Sequence, residues 1–387
     1  MKVGVISTVF PSSRMPTAGI FVREELDALS SHVSVRIMAP QPNRQWLKNI
    51  GASTPRVSYP IKRPFTLAFP RFFRQDLYPA SLAMLLRWHS AFFDDCDLIH
   101  AHNAFPEGVA AVKAFGGKKP VIITTHGSDI NYFAQRENLQ PDIVEALNEA
   151  DCIIAVSSQL KKSIEKLGVR TDIHVIHNGF FTDLLKPKPK KEACTVLDLD
   201  PDRPRLLFAG NFVPVKGIEY LIRAIPSVLK KYPECELVLL GAQSDSGDSK
   251  HYIAEIDRAG IKDSLRIEAR VPHERLADWI NASDLLVLPS HNEGFGLVLA
   301  EALACGKPVV STLSGGPEDI VMPGDGYLVP PADVEALANA LIRVLDGDAI
   351  SDTDTLVSSA VDRFSYETIA RRIADVYEKV FAGKSGG

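Results

Sequence analysis

Short apolar runs alternate with amphipathic stretches along most of the chain. The run KVGVIST is apolar and β-branched and predicts a strand. A Gly/Pro-rich loop follows, and GIFVREELDALSS then repeats its apolar residues with a helical period. The alternation continues through strand VSVRIMAP, strand end DLIHAHN, helix PEGVAAVKAFGG, strand KPVIITTHGSD, helix PDIVEALNEA and strand DCIIAVSS. Ser157 or Ser158 caps helix QLKKSIEKLG, and DIHVIHNGF is a strand and turn. The pattern then stops. LLKPKPKKEACTVLDLDPDRPR is rich in Lys and Pro without a sustained apolar period, which predicts a linker. Beyond it the alternation restarts: strand RLLFAGN, helix KGIEYLIRAIPSVLKKYP, strand CELVLLGA, a helix near HYIAEIDRAG, strand SLRIEAR, helix PHERLADWINAS and strand DLLVLPS. Strands PVVST and GYLVP, helix DVEALANALIRVLDGD and a final helix SYETIARRIADVYEKVFAG complete it.

Strands alternating with helices imply parallel sheets covered on both faces. Two such blocks joined by a linker predict two Rossmann-like, doubly wound α/β domains. The expected boundaries are residues 1–185, a linker over 186–203, residues 204–364, and a last helix over 365–383. Ligands bind beyond the carboxyl ends of strands in such sheets, and two facing sheets would share a cleft.

Composition narrows the function. A chain of 387 residues, 45% hydrophobic, can fill two or three domains. A net charge of −5 argues against nucleic acid as a partner. Cys96, Cys152, Cys194, Cys235 and Cys305 are scattered without CxxC spacing, which suits a reducing cytosol and predicts no metal site. The first apolar run lacks the longer core and cleavage site of a signal peptide. No apolar run approaches the roughly 18 residues of a transmembrane helix, so the expected location is cytoplasmic.

The distribution of charge adds one feature. No Asp or Glu occurs from Ala28 to Gln75, whereas Arg36, Arg44, Lys48, Arg56, Lys62, Arg63, Arg71 and Arg74 all do. Phe65, Phe69, Phe72 and Phe73 are interleaved with the last of these bases. One reading is a proline-broken surface loop leading into a core helix. The other is a patch comprising Lys62, Arg63, Phe69, Arg71, Phe72, Phe73 and Arg74 that rests on the inner membrane surface, cations on anionic headgroups and rings at the interface.

The candidate chemistry lies in HNEGFGLVLAEALACGKPVVST, from His291 to Thr312. Glu293 and Glu301 have seven residues between them, and Glu301 falls in an otherwise apolar stretch. HNEGFG reads as a turn and the helix starts near Gly296, so Glu301 lies within the helix and Glu293 before it. Backbone N–H groups at Phe295, Gly296 and Leu297 then form an anion site at the helix N-terminus. A diphosphate there would lie between a ribose on Glu301 and a sugar on Glu293. The plain alternative is that both are helix-end and salt-bridge residues.

This stretch, followed by SGGPEDIV, resembles the signature of family 4 retaining glycosyltransferases, which have two facing Rossmann-like domains, the GT-B fold. GIFVREELDAL, TTHGSD, VIHNGF and FAGNFVPVKGIEYLIRAI resemble further parts of that family in the same order. Polysaccharide-building members, the teichuronic-acid type included, read similarly at the N-terminus. The resemblance implies a hexosyltransferase that retains anomeric configuration and needs neither metal nor cofactor, the nucleotide-sugar being a substrate. It implies an acceptor-binding N-terminal domain, a nucleotide-sugar-binding C-terminal domain, and a last helix that crosses back to the N-terminal one. UDP- or GDP-linked sugar is the implied donor and a glycan or lipid-linked molecule the acceptor. Glu301 matches the ribose-binding glutamate and Glu293 the one at the donor sugar. Gly294, Phe295, Gly296 and Leu297 match the loop that holds phosphate and sugar, and Lys216 the lysine on the leaving diphosphate. Asn211 departs from the pattern, since many relatives carry arginine there. Base contacts are implied near Arg270 and Val271. Gly19 matches a helix-start glycine beside phosphate or acceptor, or is an ordinary turn glycine. His126 matches the histidine by the donor sugar, and catalysis is assigned to His126 with Glu293. His102 and Asp129 are placed on the acceptor side, where Asp129 alternatively caps the next segment.

Rival readings are a GT-B enzyme with a small-molecule acceptor, a nucleotide-sugar epimerase or phosphorylase, and an inactive binding scaffold. A nicotinamide oxidoreductase would need GxGxxG after the first strand, and ISTVFPSSRMPTAG has none.

Overall fold

The computed structural model describes residues 1–49, 56–67, 76–241, 248–348 and 350–385. Contacts divide the chain into two compact units, Met1–Gly179 with Tyr366–Gly387, and Phe180–Ser365.

In the first unit a seven-stranded parallel sheet runs in the order Ile61–Lys62, Ser34–Met38, Lys2–Ile6, Leu98–His102, Val121–Thr125, Cys152–Ala155, Ile173–Val175. Leu98–His102 and Val121–Thr125 are buried at every position, as a sheet covered on both faces requires. Chain order reverses between Lys2–Ile6 and Leu98–His102, so the loops after these two strands flank a switch point, the usual place for a ligand crevice. Glu107 ties the two loops together, accepting from Thr8 N and Thr8 Oγ1 at 2.8 and 2.5 Å. Helix Ile20–Leu29 buries Val22, Leu26 and Leu29, which share a core with Ile369, Ile373 and Tyr377 of the last helix, Tyr366–Ser385. Ser157 is the N-cap of helix Ser158–Lys166, accepting from Leu160 N at 3.2 Å.

In the second unit six parallel strands run Leu265–Glu268, Glu236–Leu240, Arg205–Ala209, Leu285–Leu288, Val309–Thr312, Gly326–Val329. The order reverses between Arg205–Ala209 and Leu285–Leu288. The fully buried Arg205 side chain donates to Glu236 Oε2 at 2.7 Å and to Ala282 O at 2.9 Å, so its charge is paired and its N–H groups are used.

Two segments differ from the sequence reading. The expected linker, 186–203, contains helix Lys190–Leu197, whose Ala193 and Cys194 pack on Ala282. Its lysines are anchored inside the second unit, Lys188 on Asp278 at 2.9 Å and Lys190 on Asp284 at 2.8 Å. The lysines that suggested a solvated linker are therefore ion-pair partners for distant acids. The contact boundary falls earlier, before Phe180, whose buried ring and N–H bond to Phe364 O at 3.0 Å bind it to the second unit. Helix Thr353–Phe364 was not read from the sequence at all. Its signals are Asp352, which accepts from Thr355 N at 2.8 Å, and buried Leu356, Ala360 and Phe364 four residues apart.

Candidate functional site

The second unit builds one cluster at its switch point. Strand Arg205–Ala209 runs out to Asn211 and the turn Pro214–Lys216. The turn ends on Gly217, in the left-handed region at φ 63°. A Cβ at 217 would meet Pro289 O at 2.2 Å, and His291 N donates to Val215 O at 2.8 Å. The Lys216 turn is thereby pressed onto the end of the neighbouring strand. Lys216 Nζ lies 2.5 Å from Glu293 Oε2, and Ser290 Oγ donates to the same oxygen at 2.9 Å. The sequence reading gave Lys216 and Glu293 separate partners; the structure joins them as one ion pair, because adjacent strands deliver both loops to the same place.

The Glu293 backbone is fixed as well. Its N–H donates to Ser314 O at 3.0 Å, and its carbonyl accepts from Gly316 N at 2.9 Å. Gly316 sits against Phe295 so closely that a Cβ would meet Phe295 Cα at 2.3 Å. The SGGPEDIV loop thus backs the HNEGFG turn. Gly296, at φ 90°, is the N-cap of helix Leu297–Ala304. The first N–H groups of a helix have no acceptor within it. Gly294 and Leu297 are partly exposed, whereas Phe295 and Gly296 are buried and the Phe295 ring packs 5.6 Å from Phe364. Any contact from these two is therefore made by backbone.

Glu301 is 4% exposed, one turn inside that helix. His273 Nε2 lies 2.7 Å from Glu301 Oε1. The sequence reading missed this partner, although His273 starts a helix after Pro272, where a side chain can reach across to a neighbouring element. Asn211 also has a partner: Arg270 donates to Asn211 Oδ1 at 2.9 Å. Arg270 is exposed and Val271 partly so. The sequence reading named this segment for base contacts, and the structure places its Arg270 guanidinium on Asn211.

In the first unit His126 is not isolated. His102 Nδ1 and His126 Nε2 are 3.1 Å apart with the rings stacked, and Phe21 packs on His126 at 4.7 Å. His102 is fully buried, with Nε2 3.6 Å from Glu25 Oε1. His100 binds Tyr377 OH at 2.7 Å and Thr124 Oγ1 at 2.6 Å. Burial pushes the His100 and His126 rings down to about 3 and the Glu25 carboxyl up to about 8. Glu25, His100 and His102 are close enough together to be a metal-type donor set, but both His100 nitrogens are taken by hydroxyls.

The two acceptor-side candidates are both buried. His102 faces its neighbours, not an open surface. Asp129 is buried and accepts from four backbone amides: Ala104 and Gly127 at 2.8 Å, Ile130 at 3.1 Å and His126 at 3.2 Å. It caps and orients the His126 loop. Gly19, at φ 66°, is required by packing, since a Cβ would meet Val9 O at 2.2 Å.

Of the basic-aromatic patch, Phe69, Arg71, Phe72, Phe73 and Arg74 lie outside the described residues. Lys62 Nζ contacts His89 Nδ1 at 3.0 Å, and Arg63 turns inward to Pro11 O over the Phe10 ring. Among the described residues no helix is long and apolar enough to cross a membrane.

A family model described as glycosyl transferases group 1 matches residues 190–356, and one described as glycosyltransferase family 4 matches residues 18–184. The chain is 29% identical over 362 residues to the "Putative teichuronic acid biosynthesis glycosyltransferase TuaC" of Bacillus subtilis, covering 89% of each. It is 34% identical over 299 residues to a D-inositol 3-phosphate glycosyltransferase of Thermobispora bispora, covering 73% of this chain and 70% of that one. Among solved structures it matches sucrose-phosphate synthase from Thermosynechococcus elongatus with a TM-score of 0.80 and 24% identity, over 99% and 100% of the two chains. Anabaena HepE, solved in complex with UDP-glucose, matches with a TM-score of 0.75 and 22% identity, over 98% and 100%. The fold is GT-B, and the chain belongs to the family 4 glycosyltransferases.

Proposed function

We propose that this protein is a retaining hexosyltransferase that moves a sugar from a UDP- or GDP-linked donor to a glycan or lipid-linked acceptor in cell-surface polysaccharide synthesis. The observation that carries the reading is the arrangement around helix Leu297–Ala304, with the Lys216–Glu293 pair before its N-terminus and the His273–Glu301 pair one turn inside it. Such a helix end suits a diphosphate. Lys216 would meet the leaving diphosphate and Glu293 the sugar hydroxyls, each partly releasing the other. Glu301 would hold the ribose, oriented by His273. Arg270, held by Asn211, would supply the second positive charge that Asn211 itself lacks.

Both glutamates are assigned to binding the donor, so neither is offered as a nucleophile. Front-face substitution fits better. The bond from anomeric carbon to phosphate oxygen breaks, the acceptor oxygen bonds to the same face, and the leaving oxygen takes the acceptor proton. Positioning and stabilisation of the departing charge then carry the rate. His126 is assigned to contact the sugar or the acceptor. The names of the similar proteins support a polysaccharide role, and HepE supports a UDP-sugar. A small phosphorylated acceptor is the second reading, favoured by the D-inositol 3-phosphate glycosyltransferases among the relatives. Placement on the cytoplasmic membrane face rests on the acid-free basic window alone.

The deciding experiment is thermal unfolding against UDP, UDP-glucose and a GDP-sugar. A donor at 100 times its Kd adds about 2.7 kcal/mol, and Glu301→Ala should abolish the shift. No stabilisation by any nucleotide-sugar would remove the reading. Product stereochemistry by NMR tests retention separately.

A further inference from the structure

The helical period of GIFVREELDAL places Val22, Glu25, Leu26 and Leu29 on the buried face of one helix. A carboxylate on such a face is costly without a partner. Glu25 Oε1 and His102 Nε2 are both buried without a hydrogen-bond partner, and they are 3.6 Å apart. On its other side His102 Nδ1 meets His126 Nε2 at 3.1 Å. The three side chains form a line that starts in the core and ends at a partly exposed residue.

We propose that Glu25, acting through His102, is the positioning residue that sets which ring nitrogen of His126 carries the proton. The inference rests on the reading of His126 as a substrate-contacting group. A neutral imidazole has one donor and one acceptor nitrogen, so each ring transmits the choice made by its neighbour. When Glu25 is protonated it donates to His102 Nε2. His102 Nδ1–H then donates to His126 Nε2, and His126 carries its proton on Nδ1. When Glu25 is ionised, His102 Nε2–H faces the carboxylate, His102 Nδ1 accepts from His126 Nε2–H, and His126 Nδ1 is bare. The first state holds three protons on the line and the second two. The difference is the proton that leaves from His126 Nδ1 while the others each shift one place.

The surroundings fit this. Among the described residues His100 and Tyr377 lie beside Glu25 and the Asp129 carboxylate accepts from the His126 backbone, and both His100 nitrogens meet hydroxyls that donate or accept as needed. Burial alone raises the Glu25 carboxyl, to about 8, and it holds His126 and His102 neutral. Glu25 is then the member that changes charge near physiological pH. The 3.6 Å separation is longer than a formed hydrogen bond, as is common for catalytic contacts before substrate binds.

The test uses the full chain labelled with ¹⁵N-histidine, with long-range ¹H–¹⁵N spectra that distinguish the two tautomers. His126→Asn identifies the His126 signals. The wild type should show His126 protonated on Nδ1 at about pH 6 and on Nε2 at about pH 9.5. In Glu25→Gln the amide N–H still donates to His102 but cannot ionise, so His126 should stay protonated on Nδ1 at both values. A wild-type His126 that keeps one tautomer throughout, or a Glu25→Gln protein that switches like the wild type, overturns the relay. If Glu25→Gln does not fold, the wild-type titration alone decides. Turnover separates the two levels. A switching tautomer with unchanged activity in His126→Asn supports the relay and removes the substrate-contact reading. A loss of activity there without a switching tautomer leaves that reading standing and overturns the relay.

Discussion

Lys216 Nζ and Glu293 Oε2 are 2.5 Å apart, although 77 positions separate them in the chain. They meet because the strands that carry them are neighbours at the point where strand order reverses. An ion pair at this position holds both groups in place. Lys216→Ala should lower kcat/KM for donor turnover by about 10²–10³, the range for losing one donor to developing negative charge. Glu293→Ala should also impair turnover, and the double variant should lose less than the two single losses combined, because the residues share an interaction. Strict additivity would show that the pair is incidental.

The His273–Glu301 pair predicts a different signature. His273→Ala leaves a nearly buried carboxylate without its ring partner. Unfolding free energy should fall by about 1–3 kcal/mol, and nucleotide affinity should fall with it. His273→Ala combined with Glu301→Gln should recover stability but not affinity. Denaturant unfolding and UDP titration read the two effects separately.

Gly217 and Gly347 give a matched comparison of backbone effects. Both have left-handed φ, 63° and 74°, but a Cβ at 217 meets Pro289 O at 2.2 Å while nothing lies within 4 Å at 347. Gly347→Ala should destabilise by about 1–2 kcal/mol, from φ alone. Gly217→Ala should destabilise by more and also reduce turnover, because relieving the clash moves Lys216. Equal destabilisation with unaltered turnover in both would contradict the close docking of the two loops.

The buried titratable cluster makes stability depend on pH in two directions. His100 and His126 are held down to about 3, so they stay neutral in the fold while the unfolded chain protonates them. Their contribution is present above about pH 6.5 and is lost as pH falls toward 3. Glu25, raised to about 8, acts oppositely. Its contribution is complete below about pH 4.5 and is lost as pH rises through 8. Each group contributes about 1.4 kcal/mol per pH unit across its own window. Stability from these groups should therefore peak at about pH 6.5, where the unfolded histidines are half protonated, and Glu25→Gln should remove the decline on the alkaline side. Chemical denaturation across pH checks both slopes.

The local pattern was sufficient for most strands and helices of both sheets and for a helix starting at the HNEGFG turn, but not for strand Ile61–Lys62 or helices Lys190–Leu197 and Thr353–Phe364. Those features follow from hydrophobic period and turn chemistry, which act over a few residues. Glu25 was legible in principle, since it interrupts an apolar helix face, but its meaning depends on what that face meets. Segment 186–203 shows the limit plainly. Its Lys/Pro composition reads as solvated linker until Asp278 and Asp284 are brought beside it. The sequence by itself determined the periodic elements and the family motifs. Tertiary structure alone decided that Lys216 faces Glu293, that His273 faces Glu301, and that His102 joins Glu25 to His126. These pairings arise where parallel strands end side by side in an order unlike their order in the chain, and a residue-by-residue pattern carries no record of that adjacency.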